Sequence, residues 1–347
     1  MTNSKDPENL FRKPDADLAP FRERMSGLYD SYRELNLLLS AFDHGLFELL
    51  KDPHTVDEIS SNYGSDALLT GMMCRALESR GYLVSEGDHY VDSPMSRTFL
   101  TEDSDFTMCN RIRQEESFVL PWGSVWDRIV DGPEVLRYED MFGDKWISAI
   151  GDDRRVEGVS KILDIVDSKI AMCNVAKVLE IGAGHAYHLI GLCHRHPWIE
   201  AHVFDKPEII DTTRENARSY GFEFGCQAGD YYEDDIEGVY DFVMIGFNPA
   251  GSDIELCERV ASTVGKDGYL LIRRHNTQLK ADPLSDMDRN IRMWEGMERG
   301  STRSWGDIRN MSRGYNDRME ELGLEKVFWM QLDRDSEILL FRRVRDA

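Results

Sequence analysis

A buried strand that runs directly into a glycine turn constrains the fold of this 347-residue chain more than any other feature. Residues 177–185 read KVLEIGAGH, a strand pattern followed by Gly182, Gly184 and the start of a helix. Glycines at such a turn let the backbone approach a ligand closely, and the N–H groups of the following helix point at it. The segment therefore predicts the first strand–helix unit of a ligand-binding α/β sheet.

Strand and helix patterns alternate along the rest of residues 175–347. Helical stretches separate the first five strands, which favours a parallel sheet with helices on both faces. The last two strands are close in sequence and predict an antiparallel hairpin. The predicted strands are 177–181, 201–205, 222–227, 241–246, 269–274, 326–331 and 337–344.

The residues before this sheet predict three further segments. Residues 1–20 are polar and proline-punctuated, which predicts a flexible N-terminus, and residues 111–174 predict connecting helices. Within 21–110, helical patterns precede a two-stranded ribbon over 82–91, and this order is typical of a winged helix. Thr55 and Glu58 stand at capping-box spacing at the start of one of the helices. We therefore expect a winged-helix domain built of helices over 21–110 and an α/β domain over 175–347.

The net charge of the chain and the residues displayed by one predicted helix limit the kinds of partner that the protein binds. The chain carries 41 Lys and Arg against 64 Asp and Glu, a formal charge of −23, which disfavours binding to nucleic acid or to anionic membranes. The helix over 67–80 stands in the place of a DNA-recognition helix but displays mostly apolar residues, so a homodimer surface is the better interpretation. No apolar run approaches the roughly 18 residues of a transmembrane helix, and the N-terminus lacks the apolar core of a signal peptide. These patterns predict a cytoplasmic protein.

Acidic residues follow three successive strands of the predicted sheet. Glu180 near the end of the first strand repels phosphate and suits a cationic ligand, and Tyr187 replaces the third glycine of a dinucleotide fingerprint. Asp205 closes the second strand and can accept from both hydroxyls of a ribose. Asp230 follows the third strand and can accept from an adenine amino group, with Tyr231 against the ring. An amine, a ribose and an adenine in this order predict S-adenosylmethionine as the ligand.

The motifs that carry these residues resemble the two-domain S-adenosylmethionine-dependent small-molecule O-methyltransferases, the family of plant caffeic-acid and isoflavone enzymes and of bacterial polyketide and phenazine enzymes. The match runs through VFDKPEII at 203–210, GDYY at 229–232, GKDGYLLI at 265–272 and GSTRSWGDI at 300–308, within residues 25–345. The resemblance implies a Rossmann-like, doubly wound, seven-stranded methyltransferase sheet and a homodimer formed through the N-terminal domain. It also implies a pocket for a small-molecule acceptor between the domains. Lys206 then lies near the adenine, and Gly246 stands where the family has an adenine-contacting Lys.

The catalytic His of that family is missing from this chain. The corresponding stretch after the fourth strand is GFNPAGSD at 246–253. Asn248 stands there as a candidate catalytic residue, although an amide cannot abstract a proton. His275, one residue past the fifth strand, is the candidate general base. Arg273 and Arg274 beside it are candidates for holding an anionic substrate, and the alternative is that they pair with surface acids. Alternatively, proximity and orientation suffice for a substrate that is already acidic or that offers nitrogen, sulfur or carbon.

Aromatic and Met residues lie where the family builds its acceptor pocket, and ordinary core packing is the alternative explanation for them. If they line a pocket, the acceptor is a large, flat, apolar molecule. The candidates are Trp122, Trp126, Met293, Trp294 and Met297. The His residues around the glycine turn have no Cys or acid at ligand spacing, so no metal site is predicted.

The sequence therefore predicts methyl transfer from S-adenosylmethionine to a small aromatic or heterocyclic acceptor, with O-methylation first. The alternative is N-, S- or C-methylation, or a divergent reaction on the same cofactor without a His base. A second alternative is a non-catalytic, S-adenosylmethionine-binding regulatory dimer, which the missing His leaves open.

Overall fold

The computed structural model describes residues 11, 13, 15–137, 144–276, 282–294, 305–333 and 336–345. The chain divides into two compact units, Met1–Thr107 and Met108–Ala347. The segment 111–174, predicted as connecting helices, belongs to the same unit as the large sheet. Among the described residues, no helix is both long and apolar enough to cross a membrane.

Helices dominate the first unit, and capping residues determine where they begin. The Thr55 hydroxyl accepts from the Glu58 N–H while the Glu58 carboxylate accepts from the Thr55 N–H, which is the reciprocal pair that the sequence predicted. Gly64 ends this helix in a left-handed conformation with φ of 60°. The Asp66 carboxylate caps the next helix by accepting from the Leu69 N–H. The helices are α1 (Leu18–Asp43), α2 (Leu46–Leu49), α3 (Val56–Tyr63), α4 (Ala67–Ser79) and α5 (Pro94–Phe99).

A small antiparallel sheet accompanies these helices. Its strands are β1 (His54–Thr55), β2 (Leu83–Glu86) and β3 (His89–Asp92). The predicted ribbon is the β2–β3 pair, with Gly87 in its turn at φ of 70°. β1 pairs with the other edge of β3. The sequence did not indicate β1 because a two-residue strand carries no readable alternation.

The second unit begins with helices and contains the large sheet. Its helices are α6 (Cys109–Val119), α7 (Val125–Asp131), α8 (Asp144–Glu157), α9 (Val159–Lys169), α10 (Tyr187–Arg195), α11 (Pro207–Ser219), α12 (Cys257–Thr263), α13 (Pro283–Asn290) and α14 (Trp305–Glu321). Its strands are β4 (Glu134–Leu136), β5 (Lys177–Ile181), β6 (Glu200–Asp205), β7 (Gly225–Ala228), β8 (Tyr240–Gly246), β9 (Val264–His275), β10 (Arg292–Trp294), β11 (Leu324–Gln331) and β12 (Ser336–Arg343). Short 3₁₀ helices cover Leu120–Ser124, Met172–Asn174, Pro249–Gly251 and Ile254–Leu256.

One seven-stranded sheet has the order β11-β12-β9-β8-β5-β6-β7, while β4 and β10 form a separate parallel pair. β5 to β9 pair in parallel, and β12 is antiparallel to both β9 and β11. The predicted doubly wound, seven-stranded sheet with a closing hairpin is therefore confirmed. The carboxyl ends of the parallel strands meet at one edge, where ligands bind in open α/β sheets.

Successive residues of the central strands pack on opposite faces of this sheet. Val178 belongs to a core that includes Leu163 of α9 and Leu189 of α10. Leu179 belongs to a second core that includes Val260 of α12 and Tyr315 of α14. Because both faces are covered, the central strands are almost continuously apolar, as is typical of parallel sheets.

The starts of two strands differ by three or more residues from those predicted by pattern. Phe222 and Phe224, predicted as strand, stack with ring centroids 6.3 Å apart and pack against the core before β7 begins at Gly225. The glycine-containing stretch 265–268, predicted as a turn before the fifth strand, lies inside β9. Asp267 with φ of 59° and an irregular register against β8 accommodate it there.

Candidate functional site

The glycine turn after β5 lies at the carboxyl edge of the sheet. Gly182 and Gly184 have φ of 68° and 54°, left-handed values that favour glycine. A Cβ placed on Gly182 would clash with Nδ2 of Asn248, so the turn has no room for a side chain there. Ala186, also left-handed with φ of 54°, leads into α10. The turn has the close backbone geometry that the predicted cofactor needs.

Asn248 braces this turn. Its Nδ2 donates to the Ile181 carbonyl at 2.8 Å, and its Oδ1 accepts from the Ala250 N–H at 3.0 Å. The amide thereby joins the end of β5 to the 3₁₀ helix Pro249–Gly251. An amide does not exchange protons at neutral pH, so Asn248 is a positioning residue in this geometry.

Glu180 is a buried acid directly before the turn. The residue is 6% exposed, and within the described part of the chain its Oε2 has no hydrogen-bond partner. Burial and nearby Asp205 together raise the pKa of Glu180 to about 8, against the opposing effect of Arg154. A buried carboxylate of this kind is stabilised by a cation. It therefore fits the positively charged methionine end of S-adenosylmethionine.

Asp205 at the end of β6 faces the same turn. Its Oδ2 accepts from the Gly184 N–H at 2.8 Å, and its Oδ1 accepts from the Lys206 N–H at 2.9 Å. Burial raises the pKa of Asp205, and these two hydrogen bonds oppose the rise. Each carboxylate oxygen keeps a second lone pair, which suits the two hydroxyls of a ribose.

Lys206 and Asp230 connect the ends of β6 and β7. Lys206 Nζ lies 3.2 Å from Asp230 Oδ2, and Asp230 Oδ1 accepts from the Tyr232 N–H at 2.9 Å. Tyr231 packs against the core on one face of the sheet, and its ring centroid lies 5.2 Å from that of Tyr232. The structure thus brings Lys206, Asp230 and Tyr231 to the edge where the adenine was predicted.

Phe247 occupies the position between two predicted site residues, Gly246 and Asn248. It has φ of 54°, a left-handed value that is rare for an aromatic residue and marks local strain. Its ring lies 4.5 Å from the Arg154 guanidinium, 4.8 Å from the Arg273 guanidinium and 5.1 Å from the His275 ring. Gly246 itself pairs with Arg273 across β8 and β9, and a Cβ there would meet open space.

Sequence reasoning missed Phe247 and Arg154. The signal for Phe247 was its place in the stretch where the resembling family carries its catalytic His. Arg154 lies in α8, far from the other site residues in sequence, and had no motif to identify it. His275 is exposed at the end of β9, with its imidazole edge-on to Phe247.

Two His residues beside the turn are held neutral. Burial lowers the pKa of His185, and burial together with Arg154 and Arg273 lowers the pKa of His188 to about 3. His185 Nδ1 accepts from the Tyr187 N–H at 3.2 Å, and the two rings stack with centroids 4.5 Å apart. His185 therefore lies in the glycine turn as an uncharged side chain.

Arg274, predicted to hold an anionic substrate with Arg273, is instead part of a buried ion pair. Its Nε donates to Glu337 Oε1 at 2.9 Å, and its Nη2 donates to Asn316 Oδ1 at 3.1 Å. Both charged side chains are almost fully buried. The prediction for Arg274 was wrong because β12 carries a carboxylate in register with it, which the sequence alone did not reveal.

Four of the five predicted acceptor-lining residues lie in elements of the second unit that are not part of the seven-stranded sheet. Trp122 Nε1 donates to Asp288 Oδ1 at 2.6 Å. Trp126 in α7 is 70% exposed. Met293 and Trp294 lie in β10, paired with β4, and Met297 lies outside the described residues.

No protein-family model matches the chain. Among curated proteins, it is 24% identical over 327 residues to an uncharacterized protein of Methanocaldococcus jannaschii, covering 91% of this chain and 87% of that one. It is 22% identical over 307 residues to the N,N-dimethyltransferase OxyT of Streptomyces rimosus, covering 83% of this chain and 88% of that one.

Solved structures share the fold across nearly the whole chain. An O-methyltransferase family protein from Burkholderia thailandensis has a TM-score of 0.66 at 19% identity, with 92% of this chain and 97% of that chain covered. Human N-acetylserotonin methyltransferase in complex with S-adenosylmethionine has a TM-score of 0.68 at 16% identity, with 96% and 99% covered. The chain therefore has the fold of S-adenosylmethionine-dependent, O-methyltransferase-like proteins, the fold that its motifs predicted.

Proposed function

We propose that this protein transfers the methyl group of S-adenosylmethionine to a small-molecule acceptor. The observation that carries the proposal is the buried carboxylate oxygen of Glu180 beside the left-handed Gly182 turn, which has no hydrogen-bond partner in the part of the chain that the structure describes. Asp205 and Asp230 stand at the next two strand ends along the same edge of the sheet. These acids would repel a pyrophosphate. An ammonium group, a ribose and an adenine can each donate hydrogen bonds to one of them.

When bound, S-adenosylmethionine supplies an electrophilic methyl carbon on its sulfonium sulfur. The chain contributes binding and orientation: Glu180 faces the positive methionine end, and Asp205 receives the ribose hydroxyls. Asn248 keeps the Gly182 turn closed against the end of β5. Holding donor and acceptor in line can supply about 7–11 kcal/mol of the reduction in barrier without proton transfer by the protein.

The acceptor atom that this site favours is one that needs no deprotonation by the enzyme. Asn248 is held by its hydrogen bonds to the turn, and the His275 imidazole packs edge-on to Phe247, the residue after the fourth strand. An amine acceptor would supply its own lone pair to the methyl group and release its proton to water, so no residue of this chain would need to act as a base. Similarity to the N,N-dimethyltransferase OxyT agrees with nitrogen, while O-methylation of an aromatic or heterocyclic acceptor stays the prediction from the resemblance.

We propose the unit Met1–Thr107 as a winged-helix dimerisation module of a cytoplasmic homodimer. The support is chemical: Leu68, Leu69 and Met72 of α4 are 65%, 65% and 49% exposed. Leu68 and Met72 share one helix face, where a DNA-recognition helix needs polar and basic groups. The charge of −23 gives no support to a nucleic-acid or anionic-membrane partner.

The test is calorimetric titration of the full chain with S-adenosylmethionine. We expect binding by the intact protein and a loss of roughly tenfold or more in Asp205→Ala, because charged hydrogen bonds are removed. The matched control is Asp211→Ala, which removes a 79% exposed carboxylate from α11. If the intact protein does not bind S-adenosylmethionine, the proposal fails.

The second candidate, a non-catalytic binding dimer, is favoured by the missing general base alone. The two candidates differ in turnover: a panel of aromatic amines, phenols and heterocycles is incubated with S-adenosylmethionine, and S-adenosylhomocysteine is measured. Product formation that depends on the acceptor and is lost in Asp205→Ala excludes the binding-only function.

A further inference from the structure

A cavity of about 170 Å³ lies beside the proposed methyl-transfer site. α8 and the start of α9 form one wall, and α10, the end of β9 and the β11–β12 connection form the rest. The lining residues are Arg154, Gly158, Lys161, Ile162, His188, Arg273, Leu332 and Asp333.

The charge of this lining is opposite to that of the whole chain. Among the described residues that line the cavity, three are cationic and one is a carboxylate, whereas the chain has a formal charge of −23. Arg273 is only 4% exposed, and its Nη2 lies 3.8 Å from Asp333 Oδ2. Lys161 Nζ donates to the Leu332 carbonyl at 3.0 Å, which brings a third positive charge to the same wall. Cations gathered in a low-dielectric recess create a strong field for an anion.

His188 adds a neutral polar group to this recess. The low pKa of its imidazole, caused by burial and by Arg154 and Arg273, keeps it uncharged at neutral pH. An uncharged imidazole has one N–H donor, which suits an anionic oxygen without adding to the local positive charge.

Phe247 lies between the cavity and the glycine turn after β5. Two of the lining cations, Arg154 and Arg273, lie on its ring, at 4.5 Å and 4.8 Å from the centroid. The next residue, Asn248, contacts the Gly182 turn. Arg154 also acts electrostatically on Glu180. A substituent of a ligand in the methyl-transfer site can therefore extend into the cavity.

The size of the cavity limits what it holds. Complete small-molecule sites are usually about 300–1,000 Å³, while one water needs only about 10–15 Å³. At about 170 Å³, the cavity fits a substituent with a few atoms and not a whole aromatic acceptor.

We propose that this cavity binds a carboxylate or phosphate group of a ligand in the methyl-transfer site, through Arg154, Lys161, Arg273 and the N–H of His188. The assignment of that ligand rests on the proposed function. The anionic group belongs either to the acceptor or to the methionine end of the donor, since both present the same chemistry.

The probe is inorganic phosphate, titrated into the full chain with and without saturating S-adenosylhomocysteine. We expect binding by the intact protein, weakened roughly tenfold or more in Arg273→Gln and in Lys161→Gln, because each removes a charged hydrogen bond. Lys161 is exposed at its α9 position, so the second variant keeps the test valid if the buried Arg273→Gln fails to fold. The control is Lys169→Gln, which removes the same charge from the far end of α9, where Lys169 lies on the Phe328 ring.

The two sources of the anionic group give different results. If the acceptor carries it, phosphate binds equally with and without S-adenosylhomocysteine, and Lys161→Gln leaves S-adenosylmethionine affinity unchanged. If the donor carries it, S-adenosylhomocysteine displaces phosphate, and the same variant weakens S-adenosylmethionine binding. Both results support the anion site.

The inference is overturned if neither phosphate nor S-adenosylmethionine affinity differs between Lys161→Gln or Arg273→Gln and the Lys169→Gln control. This failure is separate from that of the proposed function. If the protein binds phosphate, with weaker binding in these variants, and yet does not bind S-adenosylmethionine, that result would exclude S-adenosylmethionine as the ligand. The cavity would then remain an anion site.

Discussion

At the scale of single residues, Gly182 shows how one missing Cβ shapes the site. Its left-handed φ of 68° and the amide of Asn248 directly beyond it both exclude a side chain. Gly184 also has a left-handed φ, but the space beside it is not crowded. The nearest atom to an added Cβ there is a methyl carbon of Ile147 at 3.7 Å.

We expect Gly182→Ala to weaken S-adenosylmethionine binding by tenfold or more and to lower the melting temperature. The left-handed backbone costs about 1–2 kcal/mol for alanine, and displacement of Asn248 adds to it. The control is Gly27→Ala in α1, where a Cβ meets nothing within 4 Å and alanine is expected to stabilise the helix by about 0.5–1 kcal/mol. Equal cofactor affinity in the Gly182 variant and the intact protein would contradict the assigned role of this turn.

Asp92 in β3 is a second residue whose environment makes a measurable prediction. It is 5% exposed, and no hydrogen-bond partner for either carboxylate oxygen exists among the described residues. Burial raises its pKa from 3.8 to about 7, with Arg97 opposing the rise. Between these two pH values the folded protein binds more protons than the unfolded chain, so the free energy of unfolding falls as the pH rises from about 4 to 7.

We expect Asp92→Asn to gain stability relative to the intact protein as the pH is raised through this window. The full difference is reached above pH 7, at about 1.4 kcal/mol per unit of pKa shift as an upper bound. Urea unfolding at acid and alkaline pH measures it, with the exposed Asp43→Asn as the control. A difference that is independent of pH would show that the Asp92 carboxyl does not titrate in this range.

At the scale of elements, the Arg274–Glu337 pair ties β9 to β12 inside the sheet. The two residues are directly opposite in register, and Trp329 Nε1 of β11 also donates to Glu337 at 3.0 Å. Arg274 Nη1 reaches the Gly251 carbonyl at 3.3 Å, next to the loop that braces the cofactor turn. The pair therefore fixes the closing hairpin relative to the fourth strand end.

We expect Arg274→Met to destabilise the protein by about 3–5 kcal/mol, since it leaves Glu337 as an uncompensated buried charge. The double variant Arg274→Met with Glu337→Gln is expected to lose less than the sum of the two single variants. Arg342→Met is the control, because its ion pair with Asp267 joins the same two strands at the surface and contributes about 0–1 kcal/mol. Urea unfolding of the intact protein and the four variants decides the comparison, and additive losses would argue against coupling.

At the scale of the whole molecule, the exposed apolar residues of the first unit require an explanation. Leu28 and Tyr32 of α1 are 56% and 68% exposed and share a helix face, as do Leu68 and Met72 of α4. Patches of large apolar side chains on an exposed protein surface mark sites of association with a partner. The proposed occupant is a second copy of this chain.

We expect light scattering to give twice the mass of the chain for the intact protein. Leu68→Glu combined with Leu69→Glu is expected to shift the mass towards that of the single chain, with unchanged circular dichroism. Val327→Glu, at a 47% exposed position of β11, is the control with the same type of substitution. A single-chain mass for the intact protein at micromolar concentration would remove the dimer proposal.

The sequence by itself determined the features that depend on neighbours in the chain. The succession of strands along the chain, the glycine turn after the first of them and the capping box at Thr55 all follow from local backbone chemistry and short-range periodicity. The acids Glu180, Asp205 and Asp230 were readable for the same reason, because parallel strands bring their carboxyl ends to one edge whatever the details of packing.

Only the tertiary structure decided which distant side chains meet. Arg154, Phe247 and Arg273 come from α8, the end of β8 and β9, and their stacking depends on register and packing. The partner of Arg274 is likewise a matter of register between β9 and β12. The sequence showed that Asn248 cannot act as a base, but it did not predict the hydrogen bond from Asn248 to the Ile181 carbonyl. Contacts between residues far apart in the chain follow from the whole sheet, and no local pattern encodes them.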